Sequence, residues 1–433
     1  MAEHLELEGH FDRPYVHSTG TSRELNLLLT IRPGEELRAL AGEVRAGINV
    51  CLLFDVSQSM EEGGRLSAAI AAGRELVELT DDDALISMVA FDDEAYILAS
   101  GASAADKPAL IEALEGLRTV GGGMTNITAG LQAATAQIQV NQRDDRARVI
   151  ILLSDGEDNT CKPDVIGAAV AAADSDIQLF AVGMGDNYEA DFLKALVAPS
   201  NGTLFGHEDV QRVKEAFIDL AVTLANVVAT QATLELTFNP NVLVGKTYKS
   251  SPDQLFLGNA VMGEGHKLTR RVGNIERHKE YSFLYQLRLP IEGIGPMDVV
   301  KAALVYDVPP LGVQQGKMGK MFAVELTQDR VLADRRDGAV LECVRRVQIT
   351  ELVERFVEAH HAGRAEDTAR YLDLLIRNYD DVNDHTMVNH YKTIRGELIQ
   401  GGQISRSMIN ASVVASTVVR GGGELPTLVD DEF

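Results

Sequence analysis

Asn49-Val50-Cys51-Leu52-Leu53-Phe54-Asp55-Val56-Ser57-Gln58-Ser59-Met60 is an apolar run that ends in one carboxylate and two hydroxyls on alternate residues. A run without polar alternation reads as a strand buried on both faces, as in a parallel sheet. Its polar end then falls at the strand's carboxyl edge, where open α/β sheets bind ligands. Asp and Ser are hard oxygen donors, suited to Mg²⁺ or a similar cation and poor for zinc. A small ion that demands six oxygens also needs donors from elsewhere in the chain.

Two further stretches offer them. Gly121-Gly122-Gly123-Met124-Thr125-Asn126 places a hydroxyl on a glycine-rich turn just before a helical pattern. Val149-Ile150-Ile151-Leu152-Leu153-Ser154-Asp155-Gly156 is a second buried-strand run ending in a carboxylate. Three loops at one sheet edge would then supply Asp55, Ser57, Ser59, Thr125 and Asp155. This ordered set resembles the von Willebrand factor A (VWA) family and its metal-ion-dependent adhesion site. The family pattern is D-x-S-x-S, then a Thr after glycines, then an Asp after a later strand, and all five positions match. The resemblance covers roughly residues 47 to 228. It implies that Ser57, Ser59 and sometimes Thr125 bind the metal directly, while Asp55 and Asp155 act largely through water. It also implies Mg²⁺, or Mn²⁺ or Ca²⁺ in its place, with one coordination place open to a partner's Asp or Glu.

Composition narrows the classes. The 433 residues predict two to four domains at about 150 residues each. A formal net charge of -24 argues against nonspecific nucleic-acid binding and against attraction to anionic lipid. Cys51, Cys161 and Cys343 are far apart and form no C-x-x-C, so neither a zinc site nor a disulfide framework is expected and the compartment reads as reducing. The acidic N-terminus has no apolar signal core, and no apolar stretch reaches the roughly 18 residues of a membrane span. A cytoplasmic location is therefore expected, although many proteins resembling this family are extracellular adhesins.

Along the chain, period-2 spacing at Leu5, Leu7, Leu25, Leu27, Leu29 and Ile31 predicts strands in residues 1–46. Residues 47–228 alternate strand and helix, which implies a doubly wound, mostly parallel α/β sheet. The last helix of this unit is expected over Val210 to Val228. Residues 230–330 read as seven short strands punctuated by turns, an antiparallel β-sandwich. The N-terminal strands would complete that sandwich, so that the α/β domain is inserted into it. Integrin β chains resemble this arrangement in layout only. Residues 331–420 turn helical, and 421–433 read as a disordered acidic tail. Because Val210–Val228 runs almost directly into a strand at Thr233–Phe238, movement of the helix would be passed to the sandwich.

Plainer readings compete at each position. Asp55 and Asp155 could cap following helices, and Thr125 could cap the helix after Asn126. Ser57 and Ser59 could be ordinary turn residues. Asp92-Asp93-Glu94 reads as a solvated hairpin turn. As an alternative function, a strand ending in Asp resembles metal-dependent phosphoesterases of the haloacid dehalogenase type. That chemistry needs a second Asp two residues on as acid/base, and Ser57 stands there. No P-loop appears. A binding or scaffold module is therefore expected rather than an enzyme, possible partners including a separate AAA⁺ ATPase. In the tail, Thr427-Leu428-Val429-Asp430 fits the pT-x-x-D pattern that resembles ligands of forkhead-associated domains, making Thr427 a candidate phosphosite for a kinase system.

Overall fold

The computed structural model describes residues 4–18, 21–40, 44–155, 161–185, 188–207, 212–399 and 404–417. The expected tail, with Thr427, lies outside the described residues. The chain opens with β1 (Leu5–Phe11), β2 (Tyr15–His17), β3 (Arg23–Pro33) and α1 (Glu35–Ala39). It continues through β4 (Gly47–Asp55), α2 (Arg65–Leu79), β5 (Leu85–Phe91), β6 (Ala95–Ser103), α3 (Lys107–Gly116) and α4 (Ile127–Val140). Next come β7 (Arg146–Ser154), α5 (Lys162–Asp174), β8 (Gln178–Met184), α6 (Ala190–Val197), β9 (Leu204–His207) and α7 (Val213–Ala225).

These central strands form one sheet in the order β6-β5-β4-β7-β8-β9. All neighbours are parallel except the β5–β6 hairpin. The sequence of β4 dictates its place in the middle. Cys51 and Leu53 point into a core shared with α4, α5 and α6, while Val50, Leu52 and Phe54 point into another shared with α2, α3 and α7. Helices thus cover both faces, and each fully buried Leu contributes about 1.5–3 kcal/mol. Strands fill in on opposite sides of β4, so the β4–β7 edge is the topological switch point, the usual ligand crevice of such sheets.

A second body of strands follows: β10 (Val227–Phe238), β11 (Leu243–Ser251), β12 (Leu255–Asn259), β13 (Lys267–Glu276), β14 (Tyr281–Leu289), β15 (Gly295–Val308) and β16 (Val313–Thr327). They form two five-stranded sheets, β1-β3-β14-β11-β12 and β13-β10-β15-β16-β2. Every pairing is antiparallel except β16 with β2. Leu27, Leu29 and Phe283 from one sheet share a core with Leu234, Leu236 and Leu304 from the other. The α/β unit is inserted between β3 and β10, and its entry and exit are tied together. The Ala46 N–H donates to Val227 O at 2.9 Å. The Arg277 guanidinium, 4% exposed, donates to Leu40 O at 2.8 Å and Val44 O at 2.7 Å.

Three sequence expectations change here. The last helix of the insert ends at Ala225, not Val228, and residues 208–211 lie outside the described residues. The next strand begins at Val227 rather than Thr233, because Val227, Val228, Ala229 and Ala232 are already buried in it. Only Asn226 separates α7 from β10. Strand β16, expected to be short like its neighbours, runs 15 residues from Val313 to Thr327, since its outer half is an exposed hairpin arm without apolar alternation.

The C-terminal helices are α8 (Arg330–Ala333), α9 (Gly338–His361), α10 (Ala365–Asp381), α11 (His385–Ile399) and α12 (Arg406–Thr417). At about 1.5 Å per residue α9 is roughly 36 Å long. Its first half packs Val340 and Val347 on Tyr248 and Leu284 of the strand body. Its second half packs Val353, Phe356 and Val357 into the core that holds Leu193 and Val197 of α6. One helix thereby braces both bodies.

Candidate metal centre

Asp55 ends β4 and Asp155 directly follows β7, so two neighbouring parallel strands deliver their carboxylates to one edge. Asp55 is 0% and Asp155 2% exposed. Both Asp55 oxygens are engaged: Oδ1 accepts from the Ser57 N–H at 2.9 Å and Oδ2 from Ser154 Oγ at 2.6 Å. Burial pushes the Asp55 carboxyl up to about 6, against the pull of the Ser154 and Ser57 hydrogen bonds and with added push from Asp155.

After Asp55 the chain turns into a 3₁₀ segment, Gln58–Gly64. This turn sets Ser57 Oγ and Ser59 Oγ 3.1 Å apart. Two ligands at about 2.1 Å from a Mg²⁺ ion lie at most about 4.2 Å apart, so this pair fits. The glycine-rich loop is laced against the same turn: Gln58 N–H donates to Gly123 O at 3.0 Å and Gly122 N–H to Val56 O at 2.8 Å. That lacing places Thr125, 3% exposed, in the same loop cluster. Arg65 closes the other side. Its Nη1 donates to Ser59 O at 3.0 Å and to Asp155 Oδ2 at 3.2 Å.

Among the described residues Asp155 Oδ1 has no hydrogen-bond partner although it is buried. Asp155 keeps Arg65 as its ion-pair partner on Oδ2, and the bare Oδ1 is the kind of buried oxygen that a cation would satisfy. The all-oxygen donor set suits Mg²⁺, Mn²⁺ or Ca²⁺. It holds only two carboxylates, and among the described residues no group of three or more His, Cys, Asp or Glu side chains could hold a metal.

For Asp155 and Thr125 the helix-cap alternatives fail on geometry. Helix α5 starts at Lys162, well past Asp155. Helix α4 is capped by Asn126, whose Oδ1 accepts from the Ala129 N–H at 3.0 Å, not by Thr125.

The Asp92-Asp93-Glu94 turn also departs from expectation. Asp92 is 5% exposed, and its Oδ2 accepts from the Gly123 N–H at 3.1 Å while Oδ1 accepts from the Glu94 N–H at 3.0 Å. Asp93 Oδ2 takes the Met124 N–H at 3.2 Å. The turn does close the β5–β6 hairpin with Asp93 and Glu94 exposed, as expected, but Asp92 is buried and the turn splints the Thr125 loop. Sequence reading missed it, and missed Arg65, because neither lies in the D-x-S-x-S pattern. The one available signal was an acidic turn directly after a buried strand ending beside β4.

A doubly wound sheet with this arrangement at its switch point defines the class, and the von Willebrand factor type A domain family model matches residues 49–218. The chain therefore contains a VWA domain. It is 28% identical over 272 residues to an uncharacterized protein of Synechocystis sp., covering 62% of this chain and 63% of that one. The match thus spans less than two thirds of the relative's length. A von Willebrand factor type A structure from Catenulispora acidiphila superposes with a TM-score of 0.80 at 16% identity, over 96% of this chain and 98% of that one. The ArnB paralog VWA2 from Sulfolobus acidocaldarius gives 0.62 at 15% identity, over 96% and 98%. At such identities the likeness concerns the fold, and it extends to the strand body and C-terminal helices. Domains of this family serve as protein-interaction or adhesion modules. Among the described residues no helix is long and apolar enough to cross a membrane.

Proposed function

We propose that Asp55, Ser57, Ser59, Thr125 and Asp155 hold a Mg²⁺-type cation, and that the protein is a metal-dependent interaction or scaffold module. The observation that carries this reading is the buried Asp155 Oδ1, without a hydrogen-bond partner among the described residues, on a carboxylate that Arg65 ties to the turn holding two serine hydroxyls 3.1 Å apart. Ser57, Ser59 and Thr125 supply the direct ligands. Asp55, with both oxygens already bonded, orients the Ser57 turn and reaches the ion through water. A bound cation offers an open coordination place to an Asp or Glu of a protein partner. With two carboxylates against one divalent ion and the Arg65 guanidinium, the site would carry no net negative charge, so an incoming anion meets no repulsion. The three unpaired cysteines, with Cys51 buried, agree with a reducing, cytoplasmic setting. An AAA⁺ ATPase is one partner of suitable kind. The phosphoesterase alternative gains nothing from the geometry, because Ser57 occupies the position where the acid/base carboxylate would stand.

Calorimetric titration with Mg²⁺ and Mn²⁺, on the wild type and on the Ser57→Ala, Ser59→Ala double variant, tests the site. Binding in the wild type that is lost in the variant is expected. A wild type that binds neither ion sinks the proposal. Capture of a partner that survives EDTA would separate the interaction from the metal, and phosphate release from model substrates would revive the hydrolase reading.

A further inference from the structure

Two carboxylates, 0% and 2% exposed, sit at the ends of adjacent strands. Nearby negative charges in a buried setting repel one another and lose their hydration. When the cation leaves, something else must offset them. Among the described residues, the ion pair that reaches either carboxylate is Arg65 to Asp155, at 3.2 Å. Arg65 is the first residue of α2 and its side chain is 16% exposed. It is held from three directions. Its Nη1 bonds Ser59 O as well as Asp155. Its Nε lies 3.0 Å from the point where a Cβ on Gly185 would stand, so the turn after β8 packs directly on it.

The division of Asp155 is the informative feature. Arg65 occupies Oδ2, and Oδ1 is left buried with no hydrogen-bond partner among the described residues. A guanidinium has a planar fork that often takes both oxygens of a carboxylate. Here its second contact is Ser59 O instead, so one Nη1 ties Asp155 to the serine turn and one carboxylate oxygen stays free.

We infer that Arg65 is the site's resident counter-cation. It keeps the loops assembled without metal, and by its fixed positive charge it holds the affinity for divalent ions down. The inference rests on the metal reading above and adds its regulation. A site with a resident cation exchanges metal without unfolding, so occupancy follows the surrounding Mg²⁺ concentration.

The test is Mn²⁺ and Mg²⁺ titration of the full chain, wild type against Arg65→Met, with melting temperatures in EDTA. Arg65→Met should bind Mn²⁺ on the order of tenfold tighter, a conservative figure for removing one nearby charge. It should also melt lower in EDTA and gain more from added metal than the wild type does. Adding Asp155→Asn to Arg65→Met should restore the melting temperature in EDTA, because the uncompensated charge is gone. If Arg65→Met is folded only with Mn²⁺ present, that is the same result in stronger form, and Arg65→Lys must then fold without metal. Affinity that is unchanged or weaker in Arg65→Met overturns the inference while leaving the metal site standing. So does an Arg65→Lys protein that needs metal to fold. A wild type that binds no divalent ion removes the metal site and this inference together.

Discussion

Ser154 and Asp55 end neighbouring parallel strands, and the Ser154 hydroxyl donates to Asp55 Oδ2 at 2.6 Å. The bond crosses the switch point of the sheet and fixes the carboxylate from which the serine turn is built. Ser154→Ala removes the donor and leaves a buried carboxylate oxygen short of a partner. The expected cost is about 1–3 kcal/mol in metal-free protein. Urea unfolding in EDTA measures it. The same variant should bind Mn²⁺ more weakly, since Asp55 is no longer held in place. A variant with wild-type stability and affinity would show that the bond is incidental.

The glycine-rich loop makes a sharper comparison between adjacent residues. Gly121 has φ +91°, and a Cβ there would stand 2.3 Å from Val56 O, a backbone atom of the serine turn. Gly122 has φ +97°, but its Cβ would find only Glu61 Oε1, at 3.8 Å. Gly121→Ala combines strain with a backbone collision and should cost about 3 kcal/mol or more. Gly122→Ala carries the strain alone, about 1–2 kcal/mol. Thermal melts of the two single variants decide this. Equal losses would mean the loop moves away from Val56 freely.

The difference between those glycines was not legible in the sequence, where both belong to one Gly-Gly-Gly run. What was legible follows from local chemistry. Val50 to Phe54 and Val149 to Leu153 are apolar without alternation, and only a strand buried on both faces uses such a run. The serines and aspartates of the proposed metal site follow these runs directly, so the strand ends are where the sequence points to that candidate. Asp92 and Arg65 escaped because their importance lies in long-range contacts, to Gly123 and Asp155, that no local pattern encodes. The outer half of β16 escaped for the opposite reason. Its residues are held by the hairpin with β15 and lie largely in solvent, so burial wrote no alternation into them.

Acid should loosen the C-terminal helices through His390. This side chain of α11 lies with Nε2 2.9 Å from Ser412 Oγ of α12, and burial holds its imidazole below the usual 6.5. Between its folded value and 6.5 the unfolded chain binds a proton that the folded one does not. Stability from this group is thus complete above 6.5 and is lost as the pH falls below it, by at most about 1.4 kcal/mol per pH unit. His390→Gln keeps a polar partner for Ser412 but cannot titrate. Denaturant unfolding at about pH 7.5 and about pH 5.5 should give a smaller acid loss in the variant than in the wild type. Equal losses would exclude His390 as the source.

One side chain of the C-terminal helices should hold the start of α6 in the VWA domain. Asn410 of α12 is 2% exposed; its Nδ2 donates to Tyr188 O at 2.8 Å and its Oδ1 accepts from the Ala190 N–H at 3.3 Å. The amide thus serves the backbone at the start of α6 as a strand neighbour would, satisfying one acceptor and one donor. Asn410→Ala removes both of these buried bonds, at a cost of about 2–4 kcal/mol. Asn410→Asp keeps the acceptor for Ala190 but sets a charge against the Tyr188 carbonyl, so it should be at least as damaging. Because Lys194 of α6 also pairs with Glu354 of α9 at 3.1 Å, the helices should stay attached while α6 frays at its start. Hydrogen exchange should therefore quicken at Ala190 to Leu193 and along α12, with protection in β4 and β7 unchanged. Unaltered exchange at Ala190 in both variants would show that α6 holds its first turn without Asn410.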